Sequence, residues 1–129
     1  MERSGEIVLL RELHEDANVF HKSLRVTGFM RQMDISQGIC RIEHDGHSVF
    51  VDTSLVPASS VALESLVQFI GEIKPAREHP FFAGNTSDSD FYMKAKVLRV
   101  VDGLDLTLYE ESLLARRDFL QNQNRGAVK

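Results

Sequence analysis

The chain has 129 residues, of which 43% are hydrophobic and 26% charged, and carries a formal net charge of −4. That is the size of one soluble domain able to bury its own core, without the basic surplus of a self-sufficient nucleic-acid binder. A single cysteine, Cys40, excludes an internal disulfide and a cysteine-rich zinc site, and no apolar run is long enough to span a membrane.

The opening residues carry no signal-peptide pattern, so an intracellular protein is expected. Ile7 to Leu10 is a short apolar run that fits an edge strand, and His14 to Ser23 is polar and reads as loop or a turn of helix. Leu24 to Met33 reads as a long strand. Leu24, Val26 and Met30 share its inner face, Arg25, Thr27, Phe29 and Arg31 the outer one, and Gly28 marks an expected bulge or bend.

After a turn over Asp34 to Gly38 comes the strongest local signal of the chain, Ile39 to Asp52. Asp45-Gly46 sits between two alternating runs, and a two-residue turn of type I′ needs φ > 0 at both central positions. That turn sets the register: His44 faces His47, Glu43 Ser48, Ile42 Val49, Arg41 Phe50 and Cys40 Val51. Cys40, Ile42, Val49 and Val51 are then the buried face, which makes Cys40 a small buried hydrophobe rather than a reactive thiol. Arg41 and Phe50 meet on the other face, where an arginine beside an aromatic can hold phosphate and stack bases.

Thr53 to Ser65 reads as a connector with a short helix, Leu66 to Ile73 as a fourth strand with Gly71 inside it, and residues 75–90 as a long surface loop. Phe91 to Val101 is a fifth strand, with Met93, Ala95 and Val97 inward and Lys94 and Lys96 outward. The C-terminal helix is expected from about Leu106 to Asn122, opened by a capping box of Thr107 and Glu110 and followed by a polar tail at 123–129. Leu106, Tyr109, Leu113 and Leu120 recur at helical spacing, with Leu108, Ala115 and Phe119 extending the same side. The apolar arc is wider than one barrel stripe covers, which points to a partner helix.

Five strands, a connector between the third and fourth, and a final helix describe a single all-β domain over 1–129, with its core at about 7–120: an OB-fold, the five-stranded Greek-key barrel, with a C-terminal helix. His44 and His47 flank the hairpin turn, but two ligands do not make a zinc site, so they read as turn residues and no metal is expected. No nucleophile elbow, phosphate-cradling glycine loop or HExxH is present, so no catalysis and no cofactor is expected. The outward set Phe29, Arg31, Arg41, Phe50, Lys94 and Lys96 is the candidate nucleic-acid face, against the plainer reading of solvated charges and an aromatic packed under a loop.

The stretches S-L-R-V-T-G (23–28), V-D-T (51–53), Q-F-I-G-E-I (68–73), K-A-K-V-L-R-V-V-D-G-L-D-L-T-L-Y (94–109) and S-L-L-A-R-R-D-F-L (112–120) resemble, in order and spacing, the Ten-one family in its plant-type form. This is the smallest subunit of the telomeric CST complex. The resemblance implies a non-enzymatic OB-fold subunit that pairs with the Stn-one subunit and joins the largest CST subunit. Such a complex binds single-stranded G-rich telomeric DNA, mainly through its other members, protects chromosome ends and supports C-strand fill-in. It further implies a nuclear, telomeric location and partner-facing roles for Arg25, Tyr109, Leu113, Arg116, Arg117, Phe119 and Leu120. Two other readings stay open: the smallest subunit of replication protein A, and a stand-alone weak binder of single strands through Arg41 and Phe50.

Overall fold

A computed structural model of the chain describes residues 6–15, 20–82 and 91–128, the last six of these as backbone only. The elements are β1 (Glu6–Ile7), α1 (Leu10–Leu13), β2 (Ser23–Asp34), β3 (Ile39–His44), β4 (His47–Asp52), β5 (Leu66–Pro75), β6 (Phe91–Val100) and α2 (Leu106–Val128). Single 3-10 turns lie at Ala58–Ser60 and Ala76–Glu78.

The sheet runs β1-β2-β3-β4-β6-β5, and β5 pairs back onto β2. That closure makes the five long strands a barrel in the OB order, and it removes the exposed edges an open sheet would leave. The hairpin has the expected register throughout, from His44↔His47 to Cys40↔Val51. Asp45 and Gly46 both have positive φ, 54° and 81°, as a type I′ turn demands. Inside the barrel, Leu24, Val26, Met30, Ile42, Val49, Val51, Phe69, Ile73 and Met93 are all essentially inaccessible. Losing one large member of this set, such as Phe69, costs about 3–5 kcal/mol through the cavity it leaves.

Several local expectations are corrected. The run Ile7 to Leu10 is not one strand: Glu6–Ile7 pairs with β2, and Leu10 already belongs to α1, where Leu10 and Leu13 turn inward. The bulge of β2 lies at Arg31, between the pairs Met30↔Ile42 and Gln32↔Arg41, not at Gly28. Gly28 instead marks a close approach, with Leu10 Cδ1 3.0 Å from where a Cβ would stand.

A second bulge places Ala95 opposite Gly71 and Val97 opposite Ile70, so Lys96 is the extra residue. One extra residue reverses the alternation beyond it. Val97 therefore faces outward, 42% exposed, instead of inward.

The helix is capped by Asp105, not by a Thr107–Glu110 box: Asp105 Oδ1 accepts the Leu108 N–H at 3.0 Å. Glu110 is engaged elsewhere, 3.0 Å from Arg11. The helix also continues beyond Asn122 to Val128, because Gln123 to Val128 contains no proline and no strong breaker other than Gly126.

Candidate functional site

Two outer surfaces on different sides of the barrel carry most of the residues singled out from sequence. The first is built on β2, β5, β6 and α2. Register places Arg25 opposite Ile70, and Ile70 opposite Val97. The next outward row is Thr27, Gln68 and Arg99. The foot of α2 stands on this second row, where Gln68 Nε2 donates to Tyr109 Oη at 3.4 Å.

Along α2, Leu106, Tyr109, Glu110, Leu113 and Arg117 are half-buried, which is one stripe at helical spacing turned toward the chain. Leu108 and Phe119 do not extend that stripe: they are 59% and 58% exposed on another side of the helix. Leu120 does follow the stripe, but it lies past its last half-buried residue and is 48% exposed. Arg116 is exposed.

Arg117 turns inward. Its Nη1 donates to Glu12 Oε2 at 2.6 Å, and its Nη2 to Glu12 Oε1 at 3.1 Å and to the Ile7 carbonyl at 2.8 Å. Burial alone would push the Glu12 carboxyl up. The hydrogen bonds from Arg117 and from the Leu9 N–H, with the charges of Arg117 and Arg11, outweigh it and hold Glu12 below the usual carboxylate range.

The second surface is an open groove of about 350 Å³. Arg31, Gln32, Arg41 and Phe50 line it, with Phe81 and Leu63 as its far walls. Arg41 Nε donates to Gln32 Oε1 at 2.9 Å, leaving part of the guanidinium available to a ligand. Arg31 is more committed, pairing with Glu43 at 2.8 Å and also with Glu64. Phe29 does not line the groove; it lies beneath Arg31, whose Cζ is 5.2 Å from the ring centroid. Lys94 and Lys96 lie elsewhere as well. Lys94 sits in register between Asp52 and Glu72, and Lys96 projects at the β6 bulge. The groove thus gathers three of the six expected residues, Arg31, Arg41 and Phe50.

Phe50 is not a bare stacking platform. It contacts the rings of Phe81 and Phe82, with centroids 6.4 and 5.3 Å away. Those two belong to residues 76–82, which fold back on the outer wall of β3, β4 and β6 against Ile39 and Tyr92. His79 fastens this lid. Its Nδ1 accepts the Phe81 N–H at 3.1 Å, so the neutral ring carries its proton on Nε2, which lies 3.2 Å from Asp52 Oδ2. Asp52 Oδ1 accepts the Ser54 N–H at 2.9 Å. Burial, then the charges of Asp52 and Glu78, push the Tyr92 hydroxyl up.

From sequence, residues 75–90 read as a long surface loop and Asp52 only as the end of the hairpin. The adjacent pair Phe81-Phe82, apolar in an otherwise polar stretch, was the available signal. The part of that loop at 83–90 lies outside the described residues.

His44 and His47 are half-buried rather than open turn residues. His47 Nδ1 lies 3.1 Å from the Asp45 carbonyl and its ring is 6.1 Å from that of His14. Among the described residues no group of three or more His, Cys, Asp or Glu is placed to hold a metal ion. No described helix is long and apolar enough to cross a membrane.

Comparison with known proteins adds the relationship. The family described as "Telomere-capping, CST complex subunit" matches residues 1–123. The CST complex subunit TEN1 of Arabidopsis thaliana is 31% identical over 125 residues, covering 95% of this chain and 91% of that protein. Among solved structures, the S. pombe Stn1–Ten1 complex aligns with a TM-score of 0.68 at 18% identity, over 92% of this chain and 96% of the matched one. U. maydis replication protein A bound to single-stranded DNA aligns at 0.62 and 16% identity, over 92% and 94%. At such identities the structures establish the shared OB-fold barrel, whereas the sequence match separates the two lineages. The chain belongs to the family of telomere-capping CST complex subunits.

Proposed function

We propose that this chain is the Stn1-binding subunit of a CST complex (Stn1 being the Stn-one subunit), with no catalytic role of its own, acting at telomeres in the nucleus. The observation that carries this reading is the exposed apolar end of α2 together with the outer row Arg25, Ile70 and Val97. Leu108, Leu114, Phe119, Leu120, Val97 and Val100 are all large hydrophobics at 39% exposure or more. A barrel of this size has no need to display so many on one helix and the strand that leads into it. A helix laid along α2 would cover Leu108, Phe119 and Leu120, which at about 100° per residue span about a third of its circumference, as helix-in-groove recognition does elsewhere.

In this reading Phe119, Leu120, Arg116 and the Arg25 row meet the partner, while Tyr109 and Leu113 first support the helix from beneath. Contact with the largest CST subunit and with G-rich single strands follows from membership of the complex. DNA contact by this chain is secondary and runs through the groove of Arg41, Phe50 and Phe81. The net charge of −4 supports that ranking, because phosphate binding is driven by cationic surplus. Telomere end protection and C-strand fill-in are then functions of the assembly that this subunit stabilises. The alternative of a replication protein A subunit has only fold likeness on its side.

The test is co-expression with the Stn1 OB domain from the same source, followed by size exclusion with light scattering. A one-to-one complex that is lost in Leu120→Glu supports the reading. That residue is exposed, so the substitution leaves the barrel folded. Two separate peaks for the wild-type chains would sink it.

A further inference from the structure

We propose that Arg117 and Glu12 are a positioning clasp: by tying α2 to the short N-terminal helix, they fix the direction in which the apolar end of α2 is offered to Stn1, and Arg117 does not itself touch the partner. The proposal rests on the Stn1-binding reading above.

At about 1.5 Å per residue, the 23 residues of α2 span about 35 Å, far more than the barrel wall beneath its foot can support. Beyond the packing of Leu106, Tyr109 and Leu113, its side-chain hydrogen bonds and ion pairs to the rest of the described residues are few. Tyr109 meets Gln68, Glu110 pairs with Arg11 at 3.0 Å, and Arg117 takes both oxygens of Glu12 and the carbonyl of Ile7. Among the residues of α2 whose side chains are described, Arg117 is the last half-buried one, and Asp118 to Asn122 are exposed.

A helix held only at its foot swings, and the swing grows along its length. A second fixed point two turns further up removes that freedom. The clasp has the geometry for the task, since two parallel N–H···O bonds between a planar guanidinium and a carboxylate fix orientation as well as distance. Glu12 is itself anchored, because its Oε1 accepts the Leu9 N–H at 2.8 Å. Leu10 and Leu13 on either side of it are buried in the core. The chain of support thus runs from core to α1, to Glu12, to Arg117, to the exposed end of α2. Holding a binding element in its bound direction raises affinity by reducing the ordering that binding must impose.

The experiment measures affinity of the full chain for the Stn1 OB domain in the wild type, Arg117→Ala, Glu12→Ala, the double variant, and the reversed pair Arg117→Glu with Glu12→Arg. If the clasp acts through position, each single change weakens binding about tenfold, the double is no weaker than either, and the reversed pair regains most of the loss. A paired spin-label distance between Ser59→Cys on the barrel and Gln121→Cys on the helix broadens in both singles and narrows again in the reversed pair. Full affinity in Glu12→Ala beside weakened Arg117→Ala would make Arg117 a direct contact and overturn the proposal. Full affinity in both singles overturns it too. A wild-type chain that fails to bind Stn1 at all marks the failure of the assembly reading instead, and is told apart from these outcomes by that control.

Discussion

Gly71 and Lys94 approach so closely across β5 and β6 that a Cβ on Gly71 would stand 2.2 Å from the Lys94 carbonyl oxygen. That clash is with backbone, so no side-chain rotation relieves it. The position also adjoins the bulge that turns Val97 to the outer wall. Gly71→Ala is therefore expected to force the β5–β6 seam apart and lower stability by about 2–4 kcal/mol, as overpacking at a fixed backbone contact does. Urea unfolding followed by circular dichroism measures it. A loss below about half a kcal/mol, the usual spread for a harmless surface change, would show that the seam is looser than described.

The lid over residues 76–82 makes a separable prediction. His79 joins the lid to Asp52 and packs edge-on against Tyr92, with ring centroids 5.1 Å apart. His79→Ala removes both ties and leaves the barrel core untouched, so trypsin should cut after the exposed Arg77 much faster than in the wild type, with the thermal midpoint only slightly lowered. Equal cleavage rates would mean that Phe81 and Phe82 hold the lid without His79.

Phe50 and Arg41 separate packing from ligand contact on the same cross-strand pair. Phe50→Ala strips a ring from the aromatic cluster and is expected to cost about 1–3 kcal/mol of stability, less than a fully buried aromatic because Phe50 is half-exposed. Arg41→Ala breaks one exposed hydrogen bond and is expected to leave stability within about 0.5 kcal/mol. If the groove holds single strands, both variants weaken low-salt binding by the assembled complex. An Arg41→Ala complex with unchanged affinity and salt dependence would take the groove out of DNA recognition.

What the sequence made legible and what it hid divide by distance along the chain. The hairpin register is local: a two-residue Asp-Gly turn leaves one pairing, and every partner from Cys40 to Val51 follows from it. The order of strands and the final helix follow from periodicity that each segment carries by itself. The facing of Val97 is hidden because it depends on a bulge at Lys96, which shows only in the pairing of β6 with Ile70 and Gly71 of β5, far away in sequence. The helix start was misread because Asp105 and Thr107 are both good caps, and only the backbone geometry chooses between them. Arg117 gives no local sign of its role at all. Its neighbours read as the flank of a partner-facing helix, while its carboxylate partner is Glu12 near the other end of the chain.

Cys40 shows how burial settles a chemical question that composition leaves open. Its side chain is inaccessible between β2 and β4, and burial pushes the thiol up to about 12. Almost no thiolate is present at neutral pH, and thiolate is the reactive form. The native chain is expected to resist maleimide and disulfide reagents, with full labelling only in denaturant. Rapid labelling of the folded protein would show that β2, β3 and β4 open together on the timescale of the reaction.

The clasp also has a pH signature, with a sign fixed by Glu12. Its carboxyl is held below the ordinary glutamate value of 4.5, so the folded chain binds this proton less readily than the unfolded one does. Stability from the clasp is then fully present above the unfolded value and is lost as pH falls through the lower folded value. Compared with Glu12→Gln, which cannot ionise, the wild type should be more stable at pH 6 to 7, and the gap should close in acid below about 4.5. Thermal midpoints of the two proteins across that range measure it, and Arg117→Ala supplies the control. Without the guanidinium, burial is opposed by fewer favourable contacts, so the pH dependence of the gap should flatten. A gap that instead widened on acidification would mean that Glu12 is protonated in the folded chain, and the bidentate contact with Arg117 would have to be abandoned.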